Sequence, residues 1–293
     1  MTGPQQIDSA WIAANPPPVH GRGTTKNSRG RVLVIGGSAM VPGAVRLTGE
    51  AALRAGAGKL QMATVDTATA ALGIVVPEAA VIGLPIGDDG EIAPCTPKLL
   101  QASIKNADVV VLGPGMGTPQ AAGYLLALVT SLATEETLLI LDAAAIPCMR
   151  DFGVALGGFR GRLIATPHHG EMAALTGVDI DAIAADPEKI AGDIARRFGV
   201  IVVLKSSYTV VATPDGESLH YGGGGIGMAT GGSGDVLAGA IGGVAARGAE
   251  PLVAAGWGVW LHGQAGRRVA TDRGPVGFLA RELPDEFPRL LPQ

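Results

Sequence analysis

The sequence predicts an α/β protein whose mainly parallel sheet is covered by helices on both faces. Two observations carry this. Short, unbroken apolar runs recur along the chain and stop at glycine, aspartate or proline, as strands buried on both faces do. Most of these runs are separated by stretches of helical length, which parallel pairing needs for its crossovers. The 293 residues contain no internal repeat, charged linker or low-complexity block. The expectation is therefore one domain over residues 26–293, behind an extended lead-in over residues 1–25.

The lead-in, "MTGPQQIDSAWIAANPPPVHGRG", is proline-rich and lacks the basic-then-apolar pattern of a signal peptide. "RVLVIGG" (31–37) reads as the first buried strand. Residues 42–58 read as a helix, with Pro42 at its first position and Gly56 or Gly58 at its end. Val45, Leu47, Ala51 and Leu53 alternate there with Arg46, Glu50 and Arg54 at helical spacing. Further strands are expected at 59–65, 108–117, 137–143, 162–167 and 200–207, with helices at 119–133, 168–177 and 187–198. Residues 208–221 differ: two short extended runs flank Pro214-Asp215-Gly216, which predicts a hairpin at the sheet edge. Helices near 234–247 and 251–270 close the chain, the second burying Leu252, Trp257, Trp260 and Leu261. In such a sheet the ligand crevice lies beyond the carboxyl ends of the strands.

Composition narrows the function. A net charge of −4, from 22 basic and 26 acidic residues, offers no basic face to nucleic acid or an anionic membrane, so any phosphate site is local. Cys95 and Cys148 lie far apart without a metal-binding or disulfide spacing. With no apolar run near the roughly 18 residues of a membrane span, a soluble, cytoplasmic protein is expected.

The most informative stretch is "GMATGGSGDVLAGAIGGVAARG" (227–248). Glycine inside a helix costs about 1 kcal/mol relative to alanine, so the run before Asp235 needs a reason. Thr230-Gly231-Gly232-Ser233-Gly234 leads into a helix expected to start near Asp235, where backbone N–H groups without intrahelical partners can face a phosphate. Gly239, Gly242 and Gly243 read instead as packing positions. Asp235 is either the base that takes a proton from an attacking hydroxyl or an acid favoured by the helix dipole. "LGPGMG" (112–117) ends a strand in a turn that could line a substrate, though it is no dinucleotide fingerprint.

"TPHHGE" (166–171) suggests Thr166 as helix cap and Pro167 as the first helical residue, with His168 and His169 at the crevice mouth, where a histidine can donate to a phosphate or amide, and Glu171 serving the helix dipole. Lys205 is a strand-end cation that either meets nucleotide phosphates or solvent. Asp142 either holds a magnesium ion through water or caps the next helix.

Taken together and in order, "GRVLVIGGSAMVPGAVRLTGEAALRAGAGK", "VVLGPGMG", "LILDAAAI", "TPHHGEMAALTG", "VVLKSSYTVV" and "GMATGGSGDVLAG" resemble the ADP- or ATP-dependent NAD(P)H-hydrate dehydratases. The resemblance spans about residues 26–270. It implies a ribokinase-like, three-layer α/β/α fold, and repair of hydrated NADH or NADPH (NADHX, NADPHX) by phosphorylating the ring hydroxyl and eliminating phosphate. It further implies ADP as the preferred donor with ATP as the alternative, Mg2+, a homo-oligomer such as a tetramer, and a hydrate epimerase on a separate chain.

By position it places Ala44, Gly115 or Gly117, His168 and Asp235 at the hydrate, with Asp235 as catalytic base. Lys205, Ser206, Ser207, Thr209, Gly231, Gly232, Ser233 and Gly234 fall at the nucleotide. Three positions depart from the family pattern: Ala144 stands for a second aspartate, Gly225 for an asparagine and Ser206 for a glycine. A small-molecule kinase of the same fold, acting on a sugar, thiazole or pyrimidine alcohol, is the competing reading.

Overall fold

The computed structural model describes residues 4–21, 23–94 and 97–292. Ten strands run in chain order as β1 (Gln5–Gln6), β2 (Arg31–Ile35), β3 (Lys59–Val65), β4 (Ala79–Leu84), β5 (Val109–Leu112), β6 (Leu138–Leu141), β7 (Leu163–Ala165), β8 (Ile201–Leu204), β9 (Tyr208–Ala212) and β10 (Ser218–Gly222). They form one sheet in the order β1-β10-β9-β8-β7-β6-β5-β2-β3-β4. Only β9 is antiparallel to its neighbours, β8 and β10; the other pairings are parallel. The central strands β5, β6, β7 and β8 are buried at every position, which accounts for their unbroken apolar runs.

The helices longer than six residues are α1 (Gly43–Arg54), α2 (Thr69–Val75), α3 (Lys98–Asn106), α4 (Pro119–Leu132), α5 (His169–Thr176), α6 (Pro187–Phe198), α7 (Ser233–Ala246) and α8 (Pro251–Arg273). Helices α1, α7 and α8 pack together, α7 also meeting β5, β2 and β6. With helices on both sides of the sheet, the three-layer expectation holds. The glycines inside α7 make its close approach to α1 possible. A Cβ at Gly239 would sit 2.1 Å from the Thr48 carbonyl oxygen, and one at Gly243 2.3 Å from that of Ala52. This contact sets where the amino end of α7 emerges above the sheet.

Four expectations are corrected. The lead-in is not simply extended: Gln5–Gln6 pairs in parallel with β10. A short helix, Ser9–Ala14, follows, capped by Asp8, whose Oδ1 accepts the Ala10 and Trp11 N–H groups at 2.9 Å. Trp11 joins the core against Gly256, and Trp257 Nε1 donates to the Asn15 carbonyl at 2.6 Å. This strand, not the hairpin, forms the sheet's outer edge. Second, the sequence reading passed over β4, an edge strand that is half-buried at most positions and so lacks the continuous apolar signature. Third, α7 begins at Ser233, two residues before the predicted start, with Gly232 at its cap position. Fourth, Trp257 and Leu261 are buried in α8 as expected, while Leu252 and Trp260 are only partly so. Cys95 lies outside the described residues.

Candidate active site

At the carboxyl end of β6 the chain turns sharply. Ala143 is the one non-glycine with positive φ among the described residues, at 48°, a conformation costing about 1–2 kcal/mol. The turn leaves Asp142 3% exposed, packed beside Gly113 at the end of β5, where a Cβ would lie 1.9 Å from the Asp142 carbonyl oxygen. Its carboxylate neither caps a helix nor faces solvent. Oδ1 accepts the Thr166 hydroxyl at 2.6 Å and the Lys205 ammonium at 2.8 Å. Thr166, expected as a helix cap, is instead a fully buried partner of Asp142.

The cap of α5 is His168. Its Nδ1 accepts the N–H groups of Gly170 (2.9 Å) and Glu171 (3.2 Å), while Glu171 Oε2 accepts the His168 N–H at 2.8 Å. The imidazole is thus committed to the helix end, with Nε2 3.4 Å from Glu171 Oε1 as its remaining polar edge. Glu171 also reaches Lys205 Nζ at 3.6 Å. The backbone holds this arrangement, because Lys205 N–H donates to the Pro167 carbonyl at 2.7 Å and Lys205 bridges in parallel to His168.

Lys205 Nζ lies 3.2 Å from where a Cβ of Gly234 would be, so the lysine sits under the first turn of α7. Gly232 has φ 87°, and a Cβ there would lie 2.4 Å from Leu47 Cδ1, so a side chain here would be strained and would displace Leu47. Ser233 N–H is turned back to the Thr230 carbonyl (3.2 Å) and Val236 N–H opens the helix ladder on Gly232 (3.1 Å). Among the described residues, the N–H groups of Gly234 and Asp235 have no partner and remain for an anion. Of the predicted donors, Ser233 therefore drops out. Its hydroxyl is hydrogen-bonded to His262 Nε2 at 2.9 Å, a partner from α8 that sequence reasoning missed. Burial, offset in part by the Ser233 contact and reinforced by the Lys205 charge, holds His262 down at about 4, so its ring is neutral.

Three carboxylates thus surround one buried lysine. Asp235 is raised to about 7, chiefly by burial and then by the charge of Asp142, with Lys205 pulling it down and Glu171 pushing it up. Burial also raises Glu171 against the pull of Lys205. Burial opposes the charge on Lys205, but Asp142 and Glu171 outweigh it and lift the ammonium above its ordinary range. A carboxyl near neutrality beside two free N–H donors is what general-base assistance to phosphoryl transfer requires.

On the other flank, Ala44 is 2% exposed at the start of α1, and a Cβ at Gly115 would lie 2.6 Å from its Cβ. The turns after β2 and β5 are tied by the Gly37 N–H, which donates to the Pro114 carbonyl at 2.7 Å. Ser206 and Ser207 are exposed in the β8–β9 turn and Thr209 is partly buried. The Ser206 hydroxyl donates to the Tyr208 carbonyl and accepts its N–H, so Ser206 closes its own turn. Gly231 is exposed beside the cradle. Sequence reasoning also missed Glu91, which lies 6% exposed with Oε1 accepting the Gly117 N–H at 2.9 Å.

Comparison with known proteins identifies the family. The profile of the family described as NAD(P)H-hydrate dehydratase matches residues 32–289. The chain is 44% identical over 292 residues to the ADP-dependent (S)-NAD(P)H-hydrate dehydratase of Xanthomonas campestris pv. campestris, covering 99% of this chain and 98% of that one. It is 35% identical to a bifunctional NAD(P)H-hydrate repair enzyme of Moorella thermoacetica, where the match covers 97% of this chain but only 53% of the longer relative. Among solved structures, the ADP/ATP-dependent NAD(P)H-hydrate dehydratase of Bacillus subtilis, co-crystallised with ATP/Mg2+, superposes with a TM-score of 0.81 at 26% identity, over 99% of this chain and 98% of that one. The protein belongs to the NAD(P)H-hydrate dehydratase family, on the ribokinase-like fold.

Proposed function

We propose that the protein returns the S epimer of NADHX or NADPHX to the reduced dinucleotide in a nucleotide-dependent dehydration, with ADP as the preferred phosphoryl donor. The observation that carries this reading is Asp235, a carboxyl raised to about 7 in the first turn of α7. In the reaction it supports, Asp235 takes the proton of the ring hydroxyl as that oxygen attacks the terminal phosphorus of the nucleotide. A new P–O bond forms and the bond to the departing AMP, or ADP, breaks.

The N–H groups of Gly234 and Asp235 face the charge that develops on the transferring group, helped by the fixed ammonium of Lys205. Phosphate then leaves with the electrons of the C–O bond, and loss of a ring proton restores the double bond. Hydroxide is a far poorer leaving group, which is the reason to phosphorylate first.

In this reading Ala44, Gly115 and the exposed edge of His168 contact the hydrate, while Lys205, Ser206, Ser207, Thr209 and Gly231–Gly234 border the nucleotide. Mg2+ fits as a companion of the phosphates. Among the described residues no group of three or more His, Cys, Asp or Glu side chains is placed to hold a metal, and the carboxylates already converge on Lys205. Phosphate oxygens and water would supply most of its ligands. When bound, the ion neutralises phosphate charge.

The same reading takes residues 26–293, together with the lead-in strand that pairs with β10, as one catalytic domain of a cytoplasmic homotetramer, supplied with the S epimer by a separate epimerase. The test is to incubate the purified protein with hydrated NADPH, Mg2+ and either ADP or ATP while following the return of reduced-nicotinamide absorbance. Recovery that requires one nucleotide is the expected result. No recovery with either, from protein that still binds nucleotide, would sink the reading in favour of a small-molecule kinase.

A further inference from the structure

Glu91 sits in the connection between β4 and α3, within "IGDDGEIAP", whose composition is that of a solvated loop. Yet Glu91 is 6% exposed. The loop is closed on itself: Gly87 N–H donates to the Glu91 carbonyl (2.9 Å), Glu91 N–H to Asp89 Oδ1 (3.0 Å), and Ala93 N–H to the Pro85 carbonyl (2.8 Å). It touches both turns on the hydrate side of the crevice. Ala39 N–H donates to the Gly90 carbonyl at 2.8 Å, and Gly117 N–H donates to Glu91 Oε1 at 2.9 Å. Those turns are themselves joined through Gly37 and Pro114. The three segments form a closed ring, in which the Glu91 side chain makes the link to the 113–117 turn.

The other carboxyl oxygen, Oε2, is buried and has no hydrogen-bond partner among the described residues. A buried polar atom left unpaired is unfavourable and calls for a compensating role, since an apolar side chain would fill the same space without that cost. Burial pushes the carboxyl up, the Gly117 N–H pulls it down, and the charge of Asp89 adds to the rise.

We propose that Glu91 is a positioning residue for hydrate binding, its carboxyl holding the Gly117 N–H inward so that the 113–117 turn presents Gly115 to the substrate. The inference rests on the assignment of this turn to the hydrate. Because Gly117 spends its N–H on Glu91, it cannot donate to the substrate, and Gly115 is the contact of the two. The first half of the turn is tied by Gly113 N–H to the Ile35 carbonyl and by Gly37 N–H to the Pro114 carbonyl, whereas Glu91 ties its far end. Gly113 and Gly115 both have positive φ (118° and 71°), and among the described residues the one hydrogen bond within 113–117 runs from Met116 N–H to the Gly113 carbonyl. The nucleotide side, built on Lys205 and α7, shares none of these contacts.

The test uses E91A and E91Q in the full chain, with KM for hydrated NADPH and for ADP measured separately and hydrogen exchange followed in the peptide spanning 113–118. Losing the strut is expected to raise the hydrate KM of E91A about tenfold, the scale of one lost hydrogen bond to a charged group, with the ADP KM unchanged and exchange in 113–118 faster. E91Q, whose amide oxygen can accept the same N–H, is expected to recover most of both. G117A approaches from the other side: its Cβ would lie 2.7 Å from Glu91 Oε1 and displace it, so the same split is expected even if E91A fails to fold. Unchanged exchange in these variants overturns the strut. Faster exchange with an unchanged hydrate KM overturns the role in binding and shows that the turn does not contact the hydrate. An equal rise in both KM values overturns the proposal as well.

Discussion

Replacing Asp235 by asparagine is expected to exchange catalysis for stability in a pH-dependent way. In the folded chain its carboxyl is lifted from 3.8 to about 7 by burial and by Asp142, against the pull of Lys205. The unfolded chain keeps the ordinary value. Between about pH 4 and pH 7 the folded state therefore holds a proton that the unfolded state has lost, and stability falls as pH rises through that window. Above it the full difference acts: 7 minus 3.8 is about three decades of proton affinity, or about 4 kcal/mol at 1.36 kcal/mol per decade.

That figure is a ceiling for D235N, because the new amide must still be buried and Lys205 loses one of its compensating charges. About half, ~2 kcal/mol, is the expected gain, which for a chain of this size is a Tm rise of about 4 °C at pH 8.5. The gain should shrink to about 1 °C or less at pH 4, just above the unfolded value, where little of the difference has accumulated. Turnover should fall by about 10² or more with the base removed. The assays are calorimetry at the two pH values and the rate of hydrate recovery from pH 5 to 9, whose acid limb in the unaltered protein should lie near pH 7. A rate that stays flat down to pH 5, or a variant destabilised at pH 8.5, would refute the buried-base argument.

Lys205→Met leaves Asp142 and Glu171 facing each other in a buried site without their cation, so urea denaturation should show a loss of about 3–5 kcal/mol; a loss below about 1 kcal/mol would contradict the geometry. His262, held at about 4, stays neutral in the folded chain while the unfolded chain protonates below 6.5, so its contribution to stability is lost as pH falls from 6.5 towards 4. His262→Gln should therefore gain about 2 kcal/mol on the unaltered protein between pH 7.5 and pH 5, read from paired urea titrations. A Cβ at Gly234 meets only the flexible tip of Lys205, at 3.2 Å. Gly234→Ala is thus expected to keep its Tm within about 2 °C while losing nucleotide-dependent turnover. Gly113→Ala, with φ 118° and a Cβ 1.9 Å from the Asp142 carbonyl oxygen, is expected not to accumulate as folded protein.

The parts of this protein legible in its sequence are those whose physics is local. β5, β6, β7 and β8 are four-residue or shorter runs buried at every position, and their apolar composition announces them without knowledge of their partners. The same holds for the hairpin around Pro214-Asp215-Gly216 and for the glycines of α7, where a backbone requirement can be met by one residue type. Most of the family motifs follow the carboxyl ends of strands, the last lies at the amino end of α7, and Asp235 stood out as an acid beside a phosphate cradle. β4 was illegible because a half-buried edge strand needs no continuous apolar run. Cap positions shifted as well, since Thr166 serves Asp142 and leaves His168 to end the helix.

Only the tertiary structure decided what the site residues do to one another. Asp142 and Lys205 are separated by 63 residues, Ser233 and His262 by 29, and Gly117 and Glu91 by 26. No spacing rule links such pairs, because the crossovers of a parallel sheet bring together residues that the chain keeps apart. A carboxyl group's proton affinity depends on the charges and the water around it. The sequence by itself could therefore single out Asp235, but its rise to about 7 came from burial and from Asp142 and Lys205 at two strand ends and Glu171 in the first turn of α5 converging on it.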